Sequence, residues 1–268
     1  MKAKKSLGQH FLSDKNILNR IVSTASVLPE DLVLEIGPGT GNLTGEILET
    51  GCYLIAVEKD ENLAKDLEEK FNHYVDSGKL KIVAGNILDS DLENLTQNKE
   101  YKVVANIPYY ITGAIIRKFL ESNHQPKSMT LLVQREVAER IVAKDGKESL
   151  LSLSVNVYGN PKIVRVVKRG SFAPMPNVDS AIIYISDISK ENFKNISEKK
   201  FFEMLKTGFA HKRKILIGNL AKVYKKESLE KIFDELDISR NVRAEDLNLN
   251  NWIHLSLKLQ AGQNRTQG

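Results

Sequence analysis

Leu32-Val-Leu-Glu-Ile36 runs without a break into Gly37-Pro-Gly39-Thr-Gly41-Asn42, and residues 42–49 follow with helical spacing. An unbroken apolar, β-branched run is the pattern of a strand buried on both faces. Glycines at its end let the chain turn sharply and let backbone approach a ligand where a side chain would collide. Working outward from this corner, the same alternation recurs. Strand-like runs stand at residues 53–57, 80–83, 102–105 and 129–133, helical patterns at 61–71, 112–120 and 135–143, and a further helix precedes them at about 14–25. Repeated βα units specify an open, doubly wound parallel sheet with helices on both faces, whose ligands bind at the carboxyl ends of the strands. Residues 162–167 and 181–185, on either side of the Pro-rich Phe172-Ala-Pro-Met-Pro176, read as a strand pair at one sheet edge.

From Ser197 the pattern is helical only, and the polar residues 190–195 read as a linker. The expected organisation is therefore α/β, with a Rossmann-like sheet domain over residues 1–188, a small all-α C-terminal domain over 196–260 and a frayed polar tail over 261–268. The 268 residues carry 39 Lys and Arg against 34 Asp and Glu. Residues 1–185 hold 23 of each sign, whereas 186–268 hold 16 basic against 11 acidic, so the whole excess of +5 sits in the helical part. A neutral body with a basic appendage suits a polyanion partner, and a merely solvated lysine-rich surface is an equally open reading. Cys52 is the only cysteine, which rules out an internal disulfide framework and a multi-cysteine zinc site and fits a reducing, cytoplasmic location. No run approaches the roughly 18 apolar residues of a membrane span, and no signal-peptide core opens the chain.

The glycine spacing narrows the ligand. A dinucleotide fingerprint needs its third glycine five residues after the first, and that position holds Asn42. The acid-Gly-x-Gly-x-Gly form, Glu35 to Gly41, is that of methyltransferases using S-adenosylmethionine. Gly37 and Gly39 would lie against this cofactor. Glu58 ends the next strand-like run, 21 residues after Gly37, where an acid accepts both ribose hydroxyls. Gly85-Asn86-Ile-Leu88 follows the next run and sets Asn86 against the adenine, although Asn in a loop also serves simply as a turn residue.

Asn106-Ile-Pro108-Tyr109 follows the run at 102–105, where a second substrate would meet the methyl group. The amine of an adenine is a poor nucleophile because its lone pair is delocalised into the ring. The Asn106 side-chain oxygen and a main-chain carbonyl near Pro108, accepting its two N–H groups, would pull the nitrogen toward tetrahedral and aim its lone pair. That is catalysis by orientation and electrostatics, with no obligatory general base. Tyr109 offers a face on which an extruded base stacks. Phe172 is the candidate for the opposite face, and alone it would read as a core aromatic. Cytosine C5 methylation needs a cysteine nucleophile, and Cys52 instead reads as a small buried residue. The five histidines show no metal-ligand spacing, so no metal is expected.

With these motifs the chain resembles the ribosomal RNA adenine dimethyltransferases, and within them the bacterial small-subunit enzymes. Leu7-Gly-Gln-His-Phe-Leu12, Glu35 to Gly41, Glu58, Asn106-Ile-Pro-Tyr-Tyr-Ile-Thr112, Val133-Gln-Arg-Glu-Val-Ala-Glu-Arg140, Phe172-Ala-Pro-Met-Pro-Asn-Val-Asp-Ser180 and Phe209-Ala-His-Lys-Arg-Lys214 carry the resemblance along nearly the whole chain. It implies dimethylation at N6 of two adjacent adenines in a hairpin loop near the 3′ end of small-subunit (16S) ribosomal RNA. It implies further that His10 and Leu12 line the cofactor with Gly37, Gly39, Glu58, Asn86 and Asn106, and that Tyr109 and Phe172 clamp the adenine. The expected partners are the small ribosomal subunit and its RNA, contacted in part by Lys212, Arg213 and Lys214, with the protein acting as a monomer away from membranes. Two residues depart from the commonest pattern, Asn86 where most members have Asp and His10 where many have Asn. Replacing Asn86 by Asp is expected to tighten the cofactor by about 1 kcal/mol or less. The competing expectations are the related large-subunit RNA methyltransferase of antibiotic resistance and a non-catalytic assembly or transcription factor on the same fold.

Overall fold

The apolar runs assemble into a seven-stranded sheet. The computed structural model describes residues 11–264. After β1 (Phe11–Leu12) come β2 (Leu32–Ile36), β3 (Tyr53–Glu58), β4 (Leu80–Ala84), β5 (Lys102–Asn106) and β6 (Ser128–Gln134), followed by β7 (Asn160–Val167), β8 (Phe172–Ala173) and β9 (Ser180–Ser186). The sheet order is β4-β3-β2-β5-β6-β9-β7. β2 to β6 are parallel, in registers such as Glu35 opposite Ala56 and Asn106 opposite Leu132. β9 is antiparallel to both β6 and β7, so the expected edge pair is present with β7 outermost. Strand order reverses between β2 and β5, and the crevice at such a reversal is where open α/β sheets bind ligands.

The helices that flank this sheet are α1 (Lys15–Ala25), α2 (Asn42–Leu48), α3 (Glu61–Lys70), α4 (Asn72–Asp76), α5 (Leu92–Thr96) and α6 (Thr112–Glu121). α1 illustrates why they form. The Asp14 carboxylate caps it by accepting the Asn16 and Ile17 amides at 3.0 and 3.4 Å. Ile17, Leu18, Ile21, Val22 and Ala25 then make one buried stripe. Gly41 has φ of +78°, and a Cβ there would lie 2.6 Å from both Leu67 and Phe71, so this glycine lets β2 pass into α2 under α3.

The described residues form two compact units, the first made of residues 11–138 with Gly159–Ile188, the second of Glu139–Tyr158 with residues 189–264. The expected single boundary at 188 is corrected, since the division falls inside α7 (Arg135–Ile141) and residues 139–158 form part of the second unit. The cause is an aromatic cluster that propensity does not reveal, in which Tyr158 lies 5.2 Å from Phe193 and 6.1 Å from Phe202. Phe193 therefore belongs to packed structure, not to a free linker. The second unit holds α8 (Leu150–Asn156), α9 (Glu198–Gly208), α10 (Leu216–Leu220), α11 (Lys226–Glu235) and α12 (Leu249–Asn264) around the fully buried Phe201, Phe233 and Trp252. α12 also corrects the expected fraying from residue 261, because the helix runs on to Asn264, and just before that stretch the Gln260 side chain accepts the Ser197 amide at 2.7 Å. None of the described helices is long and apolar enough to cross a membrane.

Candidate active site

The carboxyl ends of β2, β3, β4 and β5 line one cleft of about 1050 Å³ in the first unit. It brings together Leu12, Gly37, Gly39, Glu58, Asn86, Asn106, Pro108 and Tyr109. Gly37, at φ of +64°, has nothing within 4 Å of where a Cβ would stand, so the cradle it forms is open. Glu58 is 5% exposed and uses both carboxylate oxygens, accepting the Gly39 amide at 3.0 Å and the Asp60 amide at 2.9 Å. The Gly39 amide would face the phosphate in a dinucleotide site, and here a carboxylate occupies it. This donor set opposes a pyrophosphate and suits a ligand with a ribose diol and a cationic sulfonium, since each carboxylate oxygen keeps a lone pair for a hydroxyl. The open cradle and the Glu58 acceptors therefore fit S-adenosylmethionine.

Asn42, where a dinucleotide fold would have glycine, donates to the Leu12 carbonyl at 2.8 Å and so ties β1 to the start of α2. Glu35, next to the end of β2, is buried. Burial pushes its carboxyl up from the usual 4.5 to about 8, the Thr44 hydroxyl donating at 2.7 Å partly offsets this, and the Glu58 charge adds to it. Because the folded state holds this proton more tightly than the unfolded chain, stability falls as pH rises between about 4.5 and 8, by up to about 1.4 kcal/mol per pH unit. Denaturation at pH 6 and pH 8 should show that loss in the parent chain, and Glu35→Gln should flatten it. An unchanged slope in the variant would assign the pH dependence to other groups.

Asn106 ends β5, and Pro108 opens the 3-10 turn Tyr109–Ile111. The Pro108 carbonyl accepts the Ile111 amide at 3.3 Å. The Tyr109 hydroxyl shares a 2.7 Å hydrogen bond with Ser180 Oγ, which fixes the ring, and burial raises the phenol above its usual range. The loop after β4 is anchored as well, with Lys118 of α6 donating to the Leu88 and Ser90 carbonyls at 3.0 and 2.7 Å. Among the described residues, no three His, Cys, Asp or Glu side chains are grouped to hold a metal ion.

The profile of the "Ribosomal RNA adenine dimethylase" family matches residues 1–261. The chain belongs to that family. It is 42% identical over 261 residues to the ribosomal RNA small subunit methyltransferase A of Dehalococcoides mccartyi, covering 96% of this chain and 89% of that one. It is 40% identical over 258 residues to the enzyme of the same name from Fusobacterium nucleatum, covering 95% and 96%. Among solved structures it is similar to a dimethyladenosine transferase from Plasmodium falciparum, with a TM-score of 0.81 and 26% identity over 95% of this chain and 98% of that one. It is also similar to the 23S rRNA methyltransferase ErmE, with a TM-score of 0.73 and 25% identity over 93% and 99%. As a member of the dimethylase family the chain is a methyltransferase that takes its methyl group from S-adenosylmethionine.

For a dimethylase, three sequence expectations need revision or fall elsewhere. Phe172 is only 5% exposed, and it lies in the apolar cluster that contains Leu12 and Leu18. The cause is the two-stranded pairing of β8 with β1, which sets Phe172 opposite Leu12 and turns a candidate platform into core. His10 lies outside the described residues. Asn86 does line the cleft, but its Nδ2 donates to Asp89 Oδ2 at 2.8 Å, so Asn86→Asp alone would set two carboxylates together and is no longer expected to tighten the cofactor. Sequence reasoning missed Tyr110, which lines the cleft mouth at 63% exposure and was marked only by following Tyr109. It also missed Lys118, for which local sequence held no signal.

Proposed function

We propose that the chain dimethylates N6 of two adjacent adenines in a hairpin loop near the 3′ end of small-subunit (16S) ribosomal RNA, acting as a cytoplasmic monomer during biogenesis of the subunit. The observation that carries the choice of RNA is identity of 36–42% to small-subunit methyltransferases, against 25% to the 23S enzyme ErmE. When bound, S-adenosylmethionine supplies an electrophilic methyl group. Glu58 would hold its ribose, Gly37 and Gly39 would pass close to it, and Leu12 and Asn86 would wall it in.

The protein's remaining task is to make an amide-like amine nucleophilic. Asn106 Oδ1 accepts one N–H of the adenine amine. A main-chain carbonyl near Pro108 accepts the other; the Pro108 carbonyl itself, which already accepts the Ile111 amide at 3.3 Å, keeps a lone pair for this. Two acceptors draw the nitrogen toward tetrahedral and hold its lone pair on one side, a preorganised effect that needs no general base. Tyr109, its ring held by Ser180, stacks on the extruded base. Tyr110, 63% exposed, offers a face to a neighbouring base.

The deciding experiment is transfer of labelled methyl to small subunits from cells lacking this modification, with the product nucleoside identified. N6,N6-dimethyladenosine is expected. Methylated cytosine, methylated ribose, or a preference for large subunits would overturn the reading.

Lys212, Arg213 and Lys214 are exposed in the turn that joins α9 to α10, and among the described residues none of them is in an ion pair. Near them Lys222 Nζ approaches His211 Nε2 at 2.7 Å. Replacing the three with Ala should weaken RNA binding and reduce its log–log salt dependence by about one unit of slope per lost phosphate contact. An unchanged slope would make the turn a solvated surface only.

A further inference from the structure

The loop that follows β4 closes on itself through Asn86. Its backbone carbonyl accepts the Asp89 amide at 3.0 Å and the Ser90 hydroxyl at 3.1 Å. Its side chain is committed at both ends. Oδ1 accepts the Leu88 amide at 3.2 Å, and Nδ2 donates to Asp89 Oδ2 at 2.8 Å. In the opposite flip an NH2 would meet the Leu88 N–H and an oxygen would meet a carboxylate, so both contacts would become repulsive. In a 3-10 turn side chains three residues apart lie one above the other, and Lys118 holds the Leu88 and Ser90 carbonyls, so Asp89 is kept in place over Asn86. Asn86 lines the cleft whereas Asp89 is exposed outside it. The donor end of the amide is thus drawn away from the cleft, and the carbonyl oxygen keeps one lone pair for a ligand.

We propose that Asp89 is a positioning residue that locks the Asn86 amide with its acceptor toward the cleft, so that the neutral Asn86 selects a 6-amino purine and rejects a 6-oxo purine. This inference rests on the reading of the cleft as the S-adenosylmethionine site. A carboxylate at position 86 would present only acceptors without help. A carboxamide presents either end unless a neighbour fixes it, and here the neighbour is Asp89.

The test is calorimetric titration with S-adenosylhomocysteine and with its 6-oxo counterpart, S-inosylhomocysteine. The parent chain should bind the adenosyl ligand at least about tenfold more tightly, the order expected when a wrong partner faces a committed acceptor. Asp89→Ala should lose roughly three- to tenfold in adenosyl affinity and gain inosyl affinity as the amide becomes free to flip. Asp89→Asn, which keeps a carbonyl acceptor for Nδ2, should retain most of the discrimination. Asn86→Asp should bind the adenosyl ligand more weakly than the parent, and adding Asp89→Ala to it should restore binding, so that one substitution acts with opposite signs in the two backgrounds. Asp89 is exposed, so the thermal midpoint should not move, and the Asn86 side-chain amide resonances should shift in Asp89→Ala. A parent chain that discriminates while Asp89→Ala discriminates equally would overturn the role of Asp89. A parent chain that binds both alike would overturn the proposal and leave the reading of the cleft standing, whereas one that binds neither would overturn both.

Discussion

Asn106→Ala should slow methyl transfer on the order of 10²-fold or more while leaving RNA affinity nearly unchanged. The rate loss follows from removing one of two preorganised acceptors at the reacting nitrogen, by analogy with removing one donor from an oxyanion hole. RNA affinity stays because phosphate contacts dominate it, and Asn106 ends β5 inside the cleft. Asn106→Asp makes the argument sharper, since it keeps an acceptor of the same reach. It should retain more activity than Ala, whereas an essential amide donor would make Asp as poor as Ala. Single-turnover transfer to small subunits, with RNA binding measured separately, checks both. An Ala variant that keeps near-full turnover would reject the role assigned to Asn106.

Glu58→Ala should weaken S-adenosylmethionine and S-adenosylhomocysteine on the order of 10²-fold or more. Two charge-assisted hydrogen bonds to the ribose would be lost, each worth about 1.5–3 kcal/mol. The Gly39 and Asp60 amides, bonded at 3.0 and 2.9 Å, would lose their shared acceptor as well. Because the ribose is remote from the reacting nitrogen, the effect should appear in the cofactor KM and Kd, with kcat at saturating cofactor changed far less. Glu58→Gln keeps one acceptor and the side-chain shape, so it should lose about tenfold. A Glu58→Ala variant within threefold of the parent by calorimetry would show that the ribose is held elsewhere.

The parts of the fold that were legible in the sequence are those set by burial on two faces. β2 to β6 announce themselves because their residues are apolar without alternation, and the Gly37–Gly41 corner because no other residue types satisfy its turns. Glu58, Asn86, Asn106 and Tyr109 were legible as cleft residues because each stands at the carboxyl end of a strand or within three residues of it, and parallel strands deliver such residues to one edge. What escaped notice depends on partners distant in sequence or on rotamers. β1 and β8 are two residues long and have no period, so nothing announced that Phe172 would be buried against Leu12. Residues 139–158 read locally as part of the sheet domain, and contacts distant in sequence, such as Tyr158 with Phe193 and Phe202 and the Glu148 amide donating to the Glu245 carbonyl at 2.8 Å, assign them elsewhere. The Asn86–Asp89 pair left a faint trace, an Asn and an Asp three apart in a short turn, but which end of the amide faces the cleft is a property of geometry alone.

The pairing of β1 with β8 also sets an order of events in the life of the chain. Leu12, a wall of the cleft, is held from one side by Asn42 at 2.8 Å and from the other by the ladder to Phe172, about 160 residues downstream. Such a pairing is non-local, and its closure entropy is met before its contacts form. A nascent chain that has completed β2 to β5 already owns the glycine corner, Glu58 and Asn106, yet lacks the strand that holds Leu12 over them. The β1–β8 pairing cannot exist before the residues around Phe172 have been made, so the wall of the cleft at Leu12 is completed only by chain that lies far beyond the glycine corner it faces.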